Sequence, residues 1–319
     1  MSFQFKRLIL GAAVSSSLIL TPFQTSKSQT VQPSQSPSTI RLTVTVTSSK
    51  QFDSELKQEN FQVWVDKDPA KIVRFSNQEV PVSVGLLFDT SASMDPPAPK
   101  KGFGEWSPIQ RALARFFELS NPDNDYFLLG FNVKSQLLVD WTSDTASVID
   151  KLGVVKVKGN TALFDACYLA MEKLQHGRHQ KRVLLLISDG QDNTSRFSFN
   201  EVKELLKETG ILLYAIHVLS PQDAGSSLGM EGQGILDELT TTSGGLLFIG
   251  RVFRRQRDAD EIFATIANEL RNQLELEIEP PSVSSEKKWH KIKLKLMSSP
   301  HVPSIKNLTL RTRAGYYVN

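Results

Sequence analysis

The sequence contains a single cysteine, Cys167, so it has no disulfide framework. No cysteine follows the apolar stretch near the N-terminus, which excludes a lipid-attachment cysteine at that place. An exported fold that needs no disulfides fits a bacterial cell better than an animal cell.

The sequence also lacks a strong excess of charge of one sign. Its net charge is +3 over 319 residues, and both signs are spread along the chain, so composition predicts no nucleic-acid-binding surface. The glycine-rich stretch 225–234 lacks the Gly-Lys-Ser/Thr of a nucleotide-binding P-loop, and we predict a mobile loop there. Hydrophobic residues make up 40% of the chain, enough for a sizeable core and for more than one domain.

The N-terminal apolar run, from about residue 8 to 20, is shorter than the ~20 residues that a membrane span needs. It follows Lys6 and Arg7 and precedes small and polar residues, which is the order of a secretory signal peptide. We therefore interpret residues 1–28 as a signal peptide, with an uncleaved anchor as the alternative, and 29–39 as a flexible linker. The protein is expected in the periplasm or outside the cell, with a membrane contact only through an uncleaved N-terminus.

Both flanks of the folded part show the alternation of apolar and polar residues that is typical of half-buried strands. In the first flank, 40–79, the pattern is clear at 40–49 and 61–66. In the second flank, 274–319, it returns in several segments. Neither flank is long enough for an independent core, so we predict that they pair into one β-sandwich-like module.

The middle of the chain, 80–273, has a different pattern. Continuous apolar runs of strand length alternate with helix-patterned stretches, which predicts a doubly wound α/β domain with a mostly parallel sheet. The predicted strands are 80–89, 125–131, 181–190, 211–219 and 246–250, and the predicted helices are 107–119, 161–174, 198–210 and 258–273.

Polar side chains gather at the predicted strand ends, where such a sheet binds its ligands. Asp89 ends one strand, and Ser91 and Ser93 follow in the turn; Asp189 ends another strand, and Thr161 precedes a helix. Two carboxylates and three hydroxyls are hard oxygen donors, which suit Mg²⁺, Mn²⁺ or Ca²⁺. Two neighbouring buried carboxylates would also repel each other without a cation.

These residues resemble the metal-ion-dependent adhesion site of the von Willebrand factor type A domain. Asp89, Ser91 and Ser93 match its Asp-x-Ser-x-Ser element, Thr161 its threonine and Asp189 its later aspartate. The resemblance covers about 81–273 and implies a Rossmann-like fold. It implies that these five residues hold a divalent cation, with Mg²⁺ the first expectation. It also implies a protein-binding module in adhesion or complex assembly, in which the metal bridges to an acidic side chain of another protein.

The flanking β segments are similar to those of bacterial exported members of the family, and one segment departs from the family pattern. The loop 95–108 separates the first motif from its helix, and its prolines and glycines place it on the rim of the site. We expect Asp95 or Glu105 to belong to a partner-binding rim, or to occupy the open coordination position in the resting protein.

Two enzymatic alternatives use the same site. A phosphotransferase with Asp89 as nucleophile would usually carry a second aspartate two positions later, where this chain has Ser91. A serine hydrolase would need a histidine at a facing strand end, and His217 lies within a strand run. We therefore predict a non-enzymatic protein, with a metal-dependent hydrolase or phosphotransferase as the alternative. The identity of the partner and the oligomeric state stay open.

Overall fold

The structure is a computed structural model, and it describes residues 39–48, 56–94, 107–218, 226–250, 256–281, 288–302 and 304–317. The predicted signal peptide or anchor, the linker up to residue 38, and Asp95 and Glu105 lie outside these residues. In the part of the chain that is described, no helix combines the length and the apolar character needed to cross a membrane.

Strands and helices alternate in the middle of the chain, and strands alone occupy its two flanks. The strands are β1 (Ile40–Ser48), β2 (Phe61–Val65), β3 (Asp68–Ser76), β4 (Val82–Asp89), β5 (Asp125–Phe131), β6 (Ser135–Thr142), β7 (Lys181–Ser188), β8 (Leu212–Val218), β9 (Leu247–Gly250), β10 (Leu274–Glu279), β11 (Trp289–Leu296), β12 (Leu308–Arg311) and β13 (Gly315–Tyr317). The helices are α1 (Ser107–Leu119), α2 (Thr145–Leu152), α3 (Leu163–Gln175), α4 (Phe199–Thr209), α5 (Ser227–Ser243) and α6 (Gln256–Arg271).

The central sheet has six strands in the order β6-β5-β4-β7-β8-β9. All neighbours are parallel except β6, which pairs antiparallel with β5 at one edge. Every residue of β4, β5 and β8 is buried, because helices cover both faces and leave no wet side. The predicted doubly wound, mostly parallel α/β fold is confirmed.

Each face of this sheet has its own hydrophobic core. On one face, α1, α2 and α6 pack on the sheet, with the rings of Phe116 and Phe263 6.3 Å apart. On the other face, α3, α4 and α5 supply the core, which includes Cys167. Cys167 is fully buried, and burial raises the pKa of its thiol. A buried thiol with a raised pKa has little thiolate and is therefore unreactive.

The predicted mobile loop at 225–234 is wrong, because α5 begins at Ser227 and runs through this stretch. The Ser226 side chain accepts a hydrogen bond from the Gly229 backbone, which caps the helix start. Gly229 and Gly232 are both buried. The stretch from Ser227 onward is therefore helical, and Gly232 allows close packing against the Asp189 segment.

The flanks form one antiparallel seven-stranded sheet in the order β12-β1-β10-β3-β2-β11-β13. Strand β10, from the second flank, lies between β1 and β3 of the first. Alternate residues such as Leu42, Val63 and Leu276 point into a third core. The flanks therefore pair in one continuous sheet, while the exact domain boundaries stay a prediction.

A buried polar network connects this sheet to the α/β part. Glu269 of α6 accepts hydrogen bonds from Arg311 of β12 (2.6 Å) and from the Tyr214 hydroxyl (2.8 Å). The Gln273 side chain donates to the Tyr214 hydroxyl (3.2 Å) and to the Thr45 hydroxyl (2.9 Å). Burial, together with the Glu269 carboxylate, raises the pKa of Tyr214, so the phenol stays protonated as a donor.

Candidate metal centre

Asp89 lies at the carboxyl end of β4 and has no exposed surface. Its Oδ1 accepts a hydrogen bond from the Ser91 backbone N–H (2.9 Å), and its Oδ2 accepts one from the Ser188 hydroxyl (2.6 Å). Burial raises the pKa of Asp89 to about 7; the nearby Asp189 charge adds to this rise, while the bonds from both serines oppose it. A neighbouring cation would favour the ionised form of this carboxyl group.

The two serines that follow Asp89 turn their hydroxyls toward each other. The Ser91 and Ser93 Oγ atoms are 3.0 Å apart, and a short 3₁₀ turn spans Ala92–Met94. Ser91 is buried and Ser93 is exposed. The pair therefore presents two neutral oxygen atoms, one inside the site and one at its mouth.

Thr161 is held just before α3 by the loop after β7. Its backbone N–H donates to the Asn193 side-chain oxygen (3.0 Å), and its carbonyl accepts from the Asn193 backbone N–H (3.0 Å). The loop that precedes Thr161 is also bonded to the segment of Asp89, Ser91 and Ser93, because the Lys158 N–H donates to the Thr90 carbonyl (2.8 Å). Hydrogen bonds thus connect all three segments that carry the predicted ligands.

Asp189 follows β7 and is 3% exposed. Its Oδ1 accepts from the Gln191 backbone N–H (3.0 Å), whereas its buried Oδ2 has no hydrogen-bond partner within the described residues. On the neighbouring strand, Nε2 of the buried His217 lies 3.0 Å from the Asp189 carbonyl oxygen. A buried carboxylate oxygen without a partner is costly, so it indicates a place for a ligand.

The donor set fits a hard divalent cation. It offers two carboxylates and three hydroxyls, the oxygen ligands that Mg²⁺, Mn²⁺ and Ca²⁺ prefer. Across the described residues, no three or more His, Cys, Asp or Glu side chains form a metal-binding group. A metal at this place would therefore depend on the hydroxyls of Ser91, Ser93 and Thr161 as well as on the two aspartates.

Residues 84–191 match the family model described as the von Willebrand factor type A domain. This range contains all five predicted ligands. Residues 84–191 belong to a von Willebrand factor type A domain. The family resemblance drawn from the sequence is thereby confirmed.

Several solved structures are similar to this chain. The PilB minor pilin from Streptococcus sanguinis is 16% identical with a TM-score of 0.46, and the match covers 62% of this chain and 63% of the pilin, less than two thirds of its length. BatB from Bacteroides thetaiotaomicron is 18% identical with a TM-score of 0.47, and the match covers 59% of this chain and 98% of BatB. The vWF domain of the type V pili tip protein Mfa5 from Porphyromonas gingivalis is 14% identical with a TM-score of 0.46. This match covers 65% of this chain and 99% of the Mfa5 domain. No curated protein is significantly similar to the sequence.

Sequence reasoning missed two residues that hold the predicted ligands of the type A domain. The Ser188 hydroxyl donates to Asp89 and accepts from the Gly190 backbone N–H (3.0 Å), so it joins two strand ends. Asn193 holds the Thr161 backbone through two hydrogen bonds, one to its N–H and one to its carbonyl oxygen. The signal for Ser188 was its place at the end of a buried strand; Asn193 stands in an Asn-Thr-Ser stretch that gives no local sign of contact with Thr161.

Helix α5 of the type A domain lies directly against the Asp189 segment. Gly190 adopts a left-handed conformation (φ 78°), and a Cβ there would lie 2.3 Å from the Gly232 carbonyl oxygen. In return, a Cβ on Gly232 would lie 2.3 Å from the Asp189 carbonyl oxygen. The two glycines thus allow the backbone of α5 to pack directly against the backbone of Asp189 and Gly190.

Ser188→Ala is expected to lower the free energy of unfolding by about 1 to 3 kcal/mol, because Asp89 and the Gly190 N–H lose a buried partner. Urea unfolding in the presence of a chelator measures this loss without any contribution from metal. Ser304→Ala, which removes an exposed hydroxyl, is the matched control and should leave stability unchanged. Equal stability of the two variants would contradict a role for Ser188 in holding Asp89.

Proposed function

We propose that this protein is a metal-dependent protein-binding module. In this proposal Asp89, Ser91, Ser93, Thr161 and Asp189 hold one divalent cation, with Mg²⁺ preferred over Mn²⁺ and Ca²⁺. When bound, the ion supplies positive charge that attracts a carboxylate of a partner protein. The observation that carries the proposal is the unpaired buried Oδ2 of Asp189 in a set of oxygen donors whose segments are hydrogen-bonded together.

The chain's own residues prepare the site for such a partner. Ser188 and the Ser91 N–H each occupy one oxygen of Asp89, so the orientation of this carboxylate is set before any ligand arrives. Three of the five proposed ligands are neutral hydroxyls, which leave more of the ion's charge for an incoming carboxylate than five acidic ligands would. Ser93 is exposed and marks the open side.

Binding is favoured over catalysis by the position of the imidazole near the site. His217 is buried in β8, and its Nε2 contacts the Asp189 carbonyl oxygen; among the described residues, Ser91 and Ser93 form no hydrogen bond with its ring. It therefore orients the strand end and does not stand as a general base beside Ser91 or Ser93. The proposal includes export to the periplasm or cell exterior, supported by the charge and apolar pattern of residues 1–28.

Metal binding is tested by unfolding the chelator-treated protein with and without added Mg²⁺. Saturating Mg²⁺ should stabilise the wild type, by about 2.7 kcal/mol at one hundred times the dissociation constant. Thr161→Val removes one proposed ligand while keeping the side-chain volume, so its stability in chelator should resemble the wild type and its response to Mg²⁺ should be lost. Thr309→Val, at an exposed position of β12, should respond like the wild type. If none of Mg²⁺, Mn²⁺ and Ca²⁺ changes the stability of the wild type, the proposal is refuted.

A further inference from the structure

A patch of exposed lysines and valines borders the candidate metal centre. We name it the lysine rim and define it by Val133, Lys134, Val154, Lys156 and Lys158. The two segments that form it, 132–135 and 153–160, contain these three lysines and no acidic residue. Val133 is 50% exposed and Val154 is 70% exposed. The rim is therefore both basic and apolar.

The lysine rim is attached to the loop that carries the first ligand motif. The Lys158 N–H donates to the Thr90 carbonyl, and the Ala92 N–H donates to the Gly159 carbonyl (3.0 Å). Gly159 in turn faces Val133, since a Cβ at Gly159 would lie 3.2 Å from the Val133 methyl group. The two segments of the rim thus meet each other next to Ser91 and Ser93.

A groove lined by both apolar and polar side chains continues from the rim along α3. It has a volume of about 830 Å³ and shares Val133 and Lys134 with the rim. Its floor includes Tyr168 and Phe197, whose rings are stacked with centroids 4.0 Å apart. Leu169 adds a side chain that is 44% exposed. Such a groove suits an apolar side chain of a partner.

The charges around the groove differ in how far they are compensated, and its lining includes one exposed acid, Glu172, that forms no ion pair within the described residues. The Asp165 carboxylate forms an ion pair with Arg196 (3.2 Å) and accepts hydrogen bonds from two backbone N–H groups. Its negative charge is therefore compensated by groups of the protein itself. In the described ranges, Lys134, Lys156 and Lys158 have no such ion pair. Unpaired lysines beside a site that would take a carboxylate attract further acidic groups and raise the rate of association.

From this arrangement we propose that the partner presents an acidic segment that also contains an apolar side chain. One carboxylate faces the proposed metal centre, further carboxylates face the lysine rim, and the apolar side chain enters the groove. This inference rests on the proposed function and adds the chemical class of the partner. The groove favours a polypeptide over a nucleic acid, because its acidic residues Asp165 and Glu172 would repel a phosphate backbone.

The test measures fluorescence anisotropy of three labelled probes with the full chain. The probes are a peptide rich in Asp and Leu, its counterpart with every Asp replaced by Asn, and a single-stranded oligonucleotide of the same net charge. Each probe is titrated with Mg²⁺ and with chelator. The double variant Lys156→Ala/Lys158→Ala removes two rim charges, and Lys67→Ala/Lys71→Ala, at exposed positions of the flanking sheet, is the matched control.

In Mg²⁺ the Asp peptide should bind more tightly than its Asn counterpart and than the oligonucleotide. The rim variant should bind it about tenfold more weakly, and the control should match the wild type. Metal-dependent binding that the rim variant leaves unchanged would overturn the lysine rim but keep the proposed function. Binding that needs the rim but not the metal would overturn the proposed function instead. An Asp peptide that binds no better than its Asn counterpart, or a preference for the oligonucleotide, would overturn the assignment of an acidic partner segment.

Discussion

Gly232→Ala is expected to lower the free energy of unfolding by about 3 kcal/mol, at the upper end of the usual cost of overpacking. The new Cβ would lie 2.3 Å from the Asp189 carbonyl oxygen and 3.1 Å from the Gly190 carbonyl carbon. Both are backbone atoms, so no side chain can rotate away, and either α5 or the Asp189 segment has to move. This cost exceeds the gain of about 1 kcal/mol that alanine normally brings to a helix.

The matched control for this variant lies two residues away in the same helix. A Cβ on Gly234 would meet no atom within 4 Å, so Gly234→Ala should stabilise the protein through helix propensity alone. Chemical denaturation in chelator compares the two variants. If the proposed metal centre is correct, Gly232→Ala should also weaken the response to Mg²⁺, because Asp189 is displaced. Equal effects of the two substitutions would show that the Gly232 contact carries no strain.

Arg311→Met should destabilise the protein by about 3 to 5 kcal/mol, the usual cost of leaving one member of a buried ion pair alone. The Arg311 and Glu269 side chains are only 15% and 7% exposed, and Arg311 also donates to the Gly245 carbonyl (2.9 Å). Thermal and urea unfolding measure the loss. Adding Glu269→Gln to Arg311→Met should restore part of it, because the isolated charge is then removed.

An ion pair on the outside of α6 provides the control for this experiment. Arg257 and Glu261 are 2.6 Å apart, with side chains 85% and 62% exposed. Arg257→Met should leave stability almost unchanged, because water solvates both charges and screens their attraction. A destabilisation by Arg311→Met that is no larger than that of the control would mean that the buried network does not hold the flanking sheet to the α/β part.

The parts of the fold that could be predicted from the sequence are those whose signals are local. The helix predicted at 198–210 has a cap candidate at Ser198 or Asn200 and a terminal glycine at Gly210; α4 begins after Ser198, and Gly210 is left-handed (φ 63°). The helix at Ser107–Leu119 was predicted with the same bounds. The apolar runs of β4, β5, β7 and β8 were recognisable because both faces of the sheet are covered.

The parts that could not be predicted depend on contacts between distant residues. Three glycines at 229–234 lower local helix propensity, and the approach of Gly232 to Asp189 is a contact that the local sequence does not show. In the same way, Ser188 acts on Asp89, which is 99 positions earlier in the chain. The edge strand β6 and helix α2 were also missed. The five proposed ligands were chosen from the sequence, and their binding of a metal stays a prediction.

The pairing of the two flanks has a consequence for the order in which the chain can assemble. Both neighbours of β1 in its sheet, β10 and β12, come from residues after 273. While the chain is still being synthesised, β1 therefore has no pairing partner until the whole α/β part has emerged. The α/β strands find their partners within their own segment, so this part can fold first. The flanking sheet then forms last, and it joins the two flanks of the chain after the α/β part has folded.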